Sequence, residues 1–130
     1  MEPLTQFAAA KYISVETFRK TGAGVRTPVW FAEDPAHSSV FYIYSAPDAG
    51  KVKRIRNNPF VRVAPCDFRG NVKGNWMDGT ARICAGEEAQ DGQVLLRRKY
   101  WLKIGGDFVS RLLGRKQVVI AIVVEAGSHL

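Results

Sequence analysis

The sequence predicts a mostly β fold, a six-stranded antiparallel β-barrel with a few helices, and three observations predict it. Six short segments are rich in β-branched and aromatic residues, alternating with polar residues or apolar throughout. Glycine, proline and asparagine punctuate most of them at hairpin spacing. Only Glu87 to Lys103 is long enough for an extended helix, so most connections lack a crossover helix and the strands run mostly antiparallel. The 130 residues fit one domain, 1–130, with no repeat, low-complexity tract or linker.

The elements follow in order. Ala8-Ala9-Ala10 favours a short helix over Pro3–Ala10. Tyr12 to Phe18 is a strand with Tyr12, Ser14, Glu16 and Phe18 on one face and Ile13, Val15 and Thr17 on the other. Thr21-Gly-Ala-Gly24 is a tight turn, and Val25 to Ala32 is the return strand. Asp34 to Ser39 reads as a loop and Val40 to Ser45 as the third strand. Ala46-Pro-Asp-Ala-Gly50 opens a short helix that stops near Asn57-Asn58, because Pro59 disfavours helix in the residue before it. Phe60 to Asp67 and Trp76 to Cys84 are strands flanking a loop at Phe68–Gly74. Gly92 weakens the first half of the long helix, Gly105-Gly106 ends it, and Asp107 to Leu113 adds a short helical piece. Val118 to Val124 is apolar throughout, which suits a strand buried on both faces and packed at an interface between two copies.

Lys and Arg total 19 against 12 Asp and Glu, a net charge of +7. Such an excess on a small domain favours an anionic partner (nucleic acid, a phosphorylated cofactor or an acidic metabolite), with solubility alone as the other reading. The longest apolar run, Val118–Val124, is far too short to span a bilayer, and no charged, then apolar, leader opens the chain. Cys66 and Cys84 lack C-x-x-C spacing and fall in predicted strands, as buried thiols do. Together these favour a reduced, cytoplasmic setting.

Two segments stand out chemically. In Gly50-Lys51-Val52-Lys53-Arg54-Ile55-Arg56, a helical wheel buries Val52 and Ile55, puts Lys53 and Arg54 on the far side and flanks the stripe with Lys51 and Arg56, and Lys51 and Arg54 both read as exposed. Cations this near a helix start oppose the helix dipole, a conflict an anion between them would relieve; the same run also reads as a solvated basic face. A second cluster, Arg97-Arg98-Lys99, lies on the long helix. In Arg26-Thr27-Pro28-Val29-Trp30, proline removes a ladder donor, which implies an edge, a bulge or a local opening in the barrel wall. Nothing marks a catalytic side chain: His37 and His129 sit in loop-like or terminal sequence, Ser38-Ser39 has no nucleophile context, and no metal, phosphate-loop or dinucleotide motif occurs. An enzyme built this way would take its chemistry from a cofactor.

Thr17-Phe18-Arg19-Lys20 with Arg26–Trp30, then Gly50–Arg56, Asn58-Pro59, Val61–Asp67 and Gly79-Thr80-Ala81-Arg82, resembles the flavin/deazaflavin oxidoreductases. These belong to the pyridoxamine 5′-phosphate oxidase-like split β-barrels, of the FMN-binding split-barrel type. The resemblance spans about Lys11 to Arg82 and is nearest the branch that uses coenzyme F420. It implies a six-stranded split barrel forming a homodimer, with two cofactor sites at the subunit interface. It also implies that Thr27, Pro28 and Val29 line the ring through backbone contacts, and that Ser45, Ala46, Lys51, Arg54 and Arg56 hold the phosphate and tail. Gly50 and Lys53 belong to the same matched run, and Asn75 and Trp76 would reach the ring from the other protomer. The implied activity is F420-dependent hydride transfer to a conjugated small molecule. The charge pattern leans the same way, since one FMN phosphate needs fewer cations than the phospholactyl-oligoglutamate tail of F420. The alternatives are an FMN oxidoreductase of the same fold, a cofactor carrier without turnover, and a nucleic-acid-binding barrel. The last is disfavoured because the cations cluster on a helix instead of a sheet face.

Overall fold

The computed structural model describes residues 3–104 and 117–125. A 3-10 turn (Pro3–Phe7) precedes strands β1 (Tyr12–Phe18), β2 (Gly24–Asp34) and β3 (His37–Ser45). Helix α1 (Gly50–Asn57) leads to β4 (Phe60–Cys66) and β5 (Met77–Ile83), and helix α2 (Gly86–Ile104) to β6 (Val118–Val124). Every pairing is antiparallel, and the order β1-β2-β3-β6-β5-β4 closes on itself. The expected six-stranded barrel is therefore present.

Two local expectations are corrected. The N-terminal segment is a 3-10 turn over Pro3–Phe7 in place of a helix to Ala10, with Phe7 packed edge-on against Phe41 inside the barrel. Asp34 to Ser39 is not a loop: the Asp34 side chain accepts a hydrogen bond from the Ala36 amide (2.9 Å), turning the chain in two residues, and β3 starts at His37. A register shift at Glu33/Asp34 absorbs the geometry. The proposed piece at Asp107–Leu113 and His129 lie outside the described residues.

Inward residues Ile13, Val15, Phe31, Phe41, Ile43, Val61, Val63, Ile120 and Ile122 fill the barrel, joined by Val52 and Ile55 of α1. A second cluster forms outside it, where Leu96 and Tyr100 of α2 cover Ala32, Tyr42, Val119 and Ala121. That cover, together with the barrel interior, buries both faces of β6, as its apolar sequence implied. Gly92 likewise has a packing role: a Cβ there would lie 2.7 Å from Val119 and 2.8 Å from Tyr42, so glycine lets α2 approach the sheet. Gly92→Ala is expected to destabilise the fold by about 1–3 kcal/mol, read from the urea midpoint, through overpacking.

The buried Tyr100 hydroxyl accepts from the Phe31 amide (2.8 Å) and lies 2.7 Å from the Lys11 and Phe31 carbonyls, to either of which it can donate. It bridges β2 to the chain just before β1, where the β1–β2 ladder ends at Tyr12–Trp30. Burial raises its pKa far above the ordinary tyrosine value, so it stays a donor. Tyr100→Phe keeps the ring but strands the Phe31 amide, an expected loss of about 1–3 kcal/mol in urea unfolding.

Candidate anion-binding cleft

β2 changes partner along its length. From Gly24 to Trp30 it pairs with β1, and only from Phe31 onward does it pair with β3. Tyr44 and Ser45, at the end of β3, pair instead with Val119 and Val118 of β6. The two strands thus part on either side of Trp30, and the gap is a cleft of about 450 Å³. Val29 and Trp30 form one lip; Tyr44, Ser45, Ala46, Ala49 and Lys51 form the other, with Gln117 at its end. Pro28 sits on the edge that β3 leaves bare, the opening its ring implied, and its outer side faces Gly70.

The basic residues fall into two groups. Arg26 (3.1 Å) and Arg62 (3.5 Å) flank the buried Glu16 carboxylate, and the Trp76 ring lies beneath both guanidiniums, at 4.6 and 5.4 Å. Lys73 pairs with Asp67 and Arg82 with Glu88. By contrast Lys51, Lys53, Arg54, Arg56 and Arg97 have no carboxylate within 4.0 Å among the described residues. Lys51 is half-buried in the cleft wall, where burial and then the Arg54 guanidinium hold its ammonium below the usual lysine range. Arg54 is also half-buried, and donates to the Thr17 hydroxyl (2.6 Å). A Cβ on Gly50 would lie 2.7 Å from Arg54, so glycine leaves room for that guanidinium.

This corrects the expectation that Lys51 and Arg54 are exposed. The wheel placed Arg54 correctly relative to Val52 and Ile55, but its long side chain folds back over the helix start to β1. Lys53 and Arg56 are exposed. α1 starts at Ala49 with no side-chain cap and no acid in its first turn, leaving its first amides available beside Lys51.

Of the expected site residues, the structure gathers Val29, Ser45, Ala46 and Lys51 around the cleft, with Gly50 and Arg54 at the helix start behind it. Thr27 and Pro28 continue the same bare edge. Asn75 and Trp76 are elsewhere in the chain: the Gln6 side chain clamps both the amide (2.8 Å) and carbonyl (3.0 Å) of Asn75, and Trp76 packs on Arg26 and Arg62. Sequence reasoning missed Trp30, Tyr44, Ala49 and Gln117. Trp30 was legible as the aromatic directly after Thr-Pro-Val, and it stacks on Tyr100 at 4.4 Å and 11°. A larger cavity, about 580 Å³, lies between the N-terminal turn and the β4–β5 loop, holds none of the expected residues, and its Lys73 faces Asp67. Burial lifts the Cys66 thiol to about 11 and the Cys84 thiol to about 12, so both are inert as nucleophiles at neutral pH.

No protein-family model matches the sequence, and no curated protein does. Solved structures do. A Vibrio cholerae heme storage protein, HutZ, superposes with a TM-score of 0.68 at 12% identity, over 95% of this chain and 87% of that one. A Listeria innocua protein assigned to pyridoxamine 5′-phosphate oxidase gives 0.62 at 18% identity, over 94% and 90%. A Bacteroides thetaiotaomicron protein assigned to 5-nitroimidazole antibiotic resistance gives 0.69 at 15% identity, over 95% and 78%. The fold is a pyridoxamine 5′-phosphate oxidase-like split barrel. At these identities the likeness concerns the fold, and the split barrel accommodates neighbours named for quite different ligands.

An unpaired, half-buried cation is costly to the free protein. Lys51→Met is expected to raise its stability by about 0.5–2 kcal/mol in thermal or urea unfolding. Because the lysine's pKa is lower folded than unfolded, the unfolded chain binds the extra proton between those values. Lys51 therefore contributes stability that increases with pH across the alkaline window below 10.5. The wild-type deficit relative to Lys51→Met should shrink there, measured as the difference between their two stability–pH curves.

Proposed function

We propose that the cleft binds a flat, anionic redox cofactor of flavin or deazaflavin type, coenzyme F420 in preference to FMN. In this reading the protein is an oxidoreductase, a reductase acting on a conjugated small molecule. The observation that carries the reading is Lys51: a cation with no carboxylate within 4.0 Å among the described residues, half-buried in the wall of a cleft whose lips are Trp30 and Tyr44. An anion offsets the cost of that burial, and the aromatic lips suit a planar ring. The uncapped start of α1 adds amide donors and the positive end of its dipole.

Each expected residue then has a place. Thr27, Pro28 and Val29 offer backbone along the bare edge to the ring. Ser45, Ala46, Gly50, Lys51 and Arg54 surround the phosphate, and exposed Lys53 and Arg56 meet charges further along the tail. Asn75 and Trp76 would complete the ring site from a second copy, in a homodimer with its cofactor sites at the interface. When bound, the deazaflavin supplies the hydride. The chain orients ring and acceptor and keeps water away, contributing through proximity. No side chain acts as general acid: the Tyr44 phenol, pushed up to about 12 by burial, is tied to the Gln93 carbonyl at 3.3 Å.

A second reading, heme binding, is favoured by the likeness to HutZ. Among the described residues it is disfavoured by the ligands at hand, since His37 is exposed and outside the cleft, and burial of Tyr44 opposes the phenolate that iron would want. Nucleic acid fits less well still, because α1 directs Lys51 and Arg54 inward. No helix among the described residues is long and apolar enough to cross a membrane.

Titration of the purified protein with F420, FMN, hemin and an oligonucleotide, followed by ligand absorbance and Trp30 fluorescence, tests this reading. F420 is expected to bind tightest. Lys51→Ala with Arg54→Ala should weaken it roughly 10- to 100-fold, with the circular dichroism spectrum unchanged. Undiminished affinity in the double variant would put the anion site elsewhere. Tight F420 binding with no hydride transfer to a panel of quinones would make the protein a carrier.

A further inference from the structure

The second basic cluster, Arg97-Arg98-Lys99, has so far no role. We propose that Arg97 is a second anion anchor of the same cleft, across Tyr44 from Lys51, and that it selects ligands bearing several negative charges over those with one phosphate. The inference rests on the cofactor reading above.

The placement comes from one hydrogen bond. The Tyr44 hydroxyl, on the cleft lip, donates to the carbonyl of Gln93 at 3.3 Å. In an α-helix that carbonyl is the acceptor for the amide four residues on, which is Arg97. Arg97 therefore emerges from α2 one turn beyond the point where Tyr44 touches it, on the same side of the helix. Its guanidinium acts on the phenol itself, lowering the Tyr44 pKa against the rise from burial. Leu96 and Tyr100 are the buried anchors of α2, and Tyr100 stacks on Trp30, so this part of the helix backs both aromatic lips. Arg97 is exposed and has no carboxylate within 4.0 Å among the described residues.

Lys51, on α1, shares the cleft lining with Tyr44, and Arg97, on α2, comes near the Tyr44 phenol. A ligand with one phosphate engages the α1 group and leaves Arg97 in water. A ligand with a phosphodiester and a run of carboxylates can reach both. Arg98, one position on and exposed, is turned about 100° further from the buried Leu96–Tyr100 line and serves as the control of equal charge.

Titration of wild type, Arg97→Gln, Arg98→Gln and Lys51→Gln with F420 and with FMN, at two salt concentrations, decides the matter. Arg97→Gln should weaken F420 roughly three- to tenfold, as an exposed charge contact does, while changing FMN by less than about twofold. Arg98→Gln should leave both within about twofold, and Lys51→Gln should weaken both. If Arg97→Gln leaves F420 unchanged while Lys51→Gln weakens both ligands, the second anchor is wrong and the cofactor reading stands. If Arg97→Gln and Arg98→Gln weaken F420 equally, surface charge and not an anchor is at work, and the proposal falls. If wild type binds neither ligand, or Lys51→Gln changes neither, the cofactor reading fails and this inference with it.

Discussion

The architecture turns on the point where β2 exchanges one neighbour for another. Up to Trp30 the strand belongs to β1; from Phe31 it belongs to β3. A backbone in transit between partners has groups with nowhere to go, and buried polar groups left unmet are expensive. Tyr100 meets them, reaching from α2 to take the Phe31 amide and reach the carbonyls of Lys11 and Phe31. The same ring backs Trp30 by stacking. One side chain therefore completes the barrel and backs one wall of its opening, which is how the long helix, remote in sequence from the cleft, supports it.

The second organising feature is the division of cations into satisfied and unsatisfied. Where the barrel needs charge neutrality it has it: Glu16, buried on β1, is held between Arg26 and Arg62 over Trp76, and a Cβ at Gly24 would sit within contact distance of that carboxylate. Around α1 no carboxylate among the described residues lies within 4.0 Å of the bases. Lys11, Arg19, Lys20, Arg69 and Arg98 also lack a carboxylate within 4.0 Å among the described residues, but all are exposed, whereas Lys51 and Arg54 are half-buried, and Lys51 lies in the cleft beside the β2 edge that β3 leaves bare. Local destabilisation beside an aromatic-lipped cleft is the observation from which the proposed anion site follows.

The strands were legible because their chemistry is periodic and local. Tyr12–Phe18 and Val118–Val124 were placed to the residue. What escaped depended on distant partners. Gly92 weakens a helix in isolation, yet it is where α2 meets Val119 and Tyr42. Trp30 and Tyr44 were not among the expected site residues, since alternation says which face a ring is on but not whether a neighbouring strand has withdrawn from it. The basic run was recognised and its wheel drawn correctly. Even so, a wheel records where a side chain leaves the helix and not where a flexible one ends, so Arg54 was read as solvated when its guanidinium reaches Thr17. Asn75 and Trp76 came only from a resemblance, and within one chain their contacts are with Gln6, Arg26 and Arg62.

What the cleft lacks shapes its chemistry as much as what it holds. Its one titratable hydroxyl, Tyr44, is raised to about 12 by burial and already gives its proton to Gln93. A group so placed neither abstracts nor delivers a proton near neutrality, so it acts as a wall. Burial and then the Arg54 guanidinium hold the Lys51 ammonium below the usual lysine range, so a bound anion would stabilise its charged form, and its part is to hold rather than to react. A site of apolar rings, backbone edge and uncommitted cations is equipped to grip and orient. Any redox step there has to be carried by the molecule gripped, and discrimination between ligands comes down to how many charges the chain can meet, and how far apart.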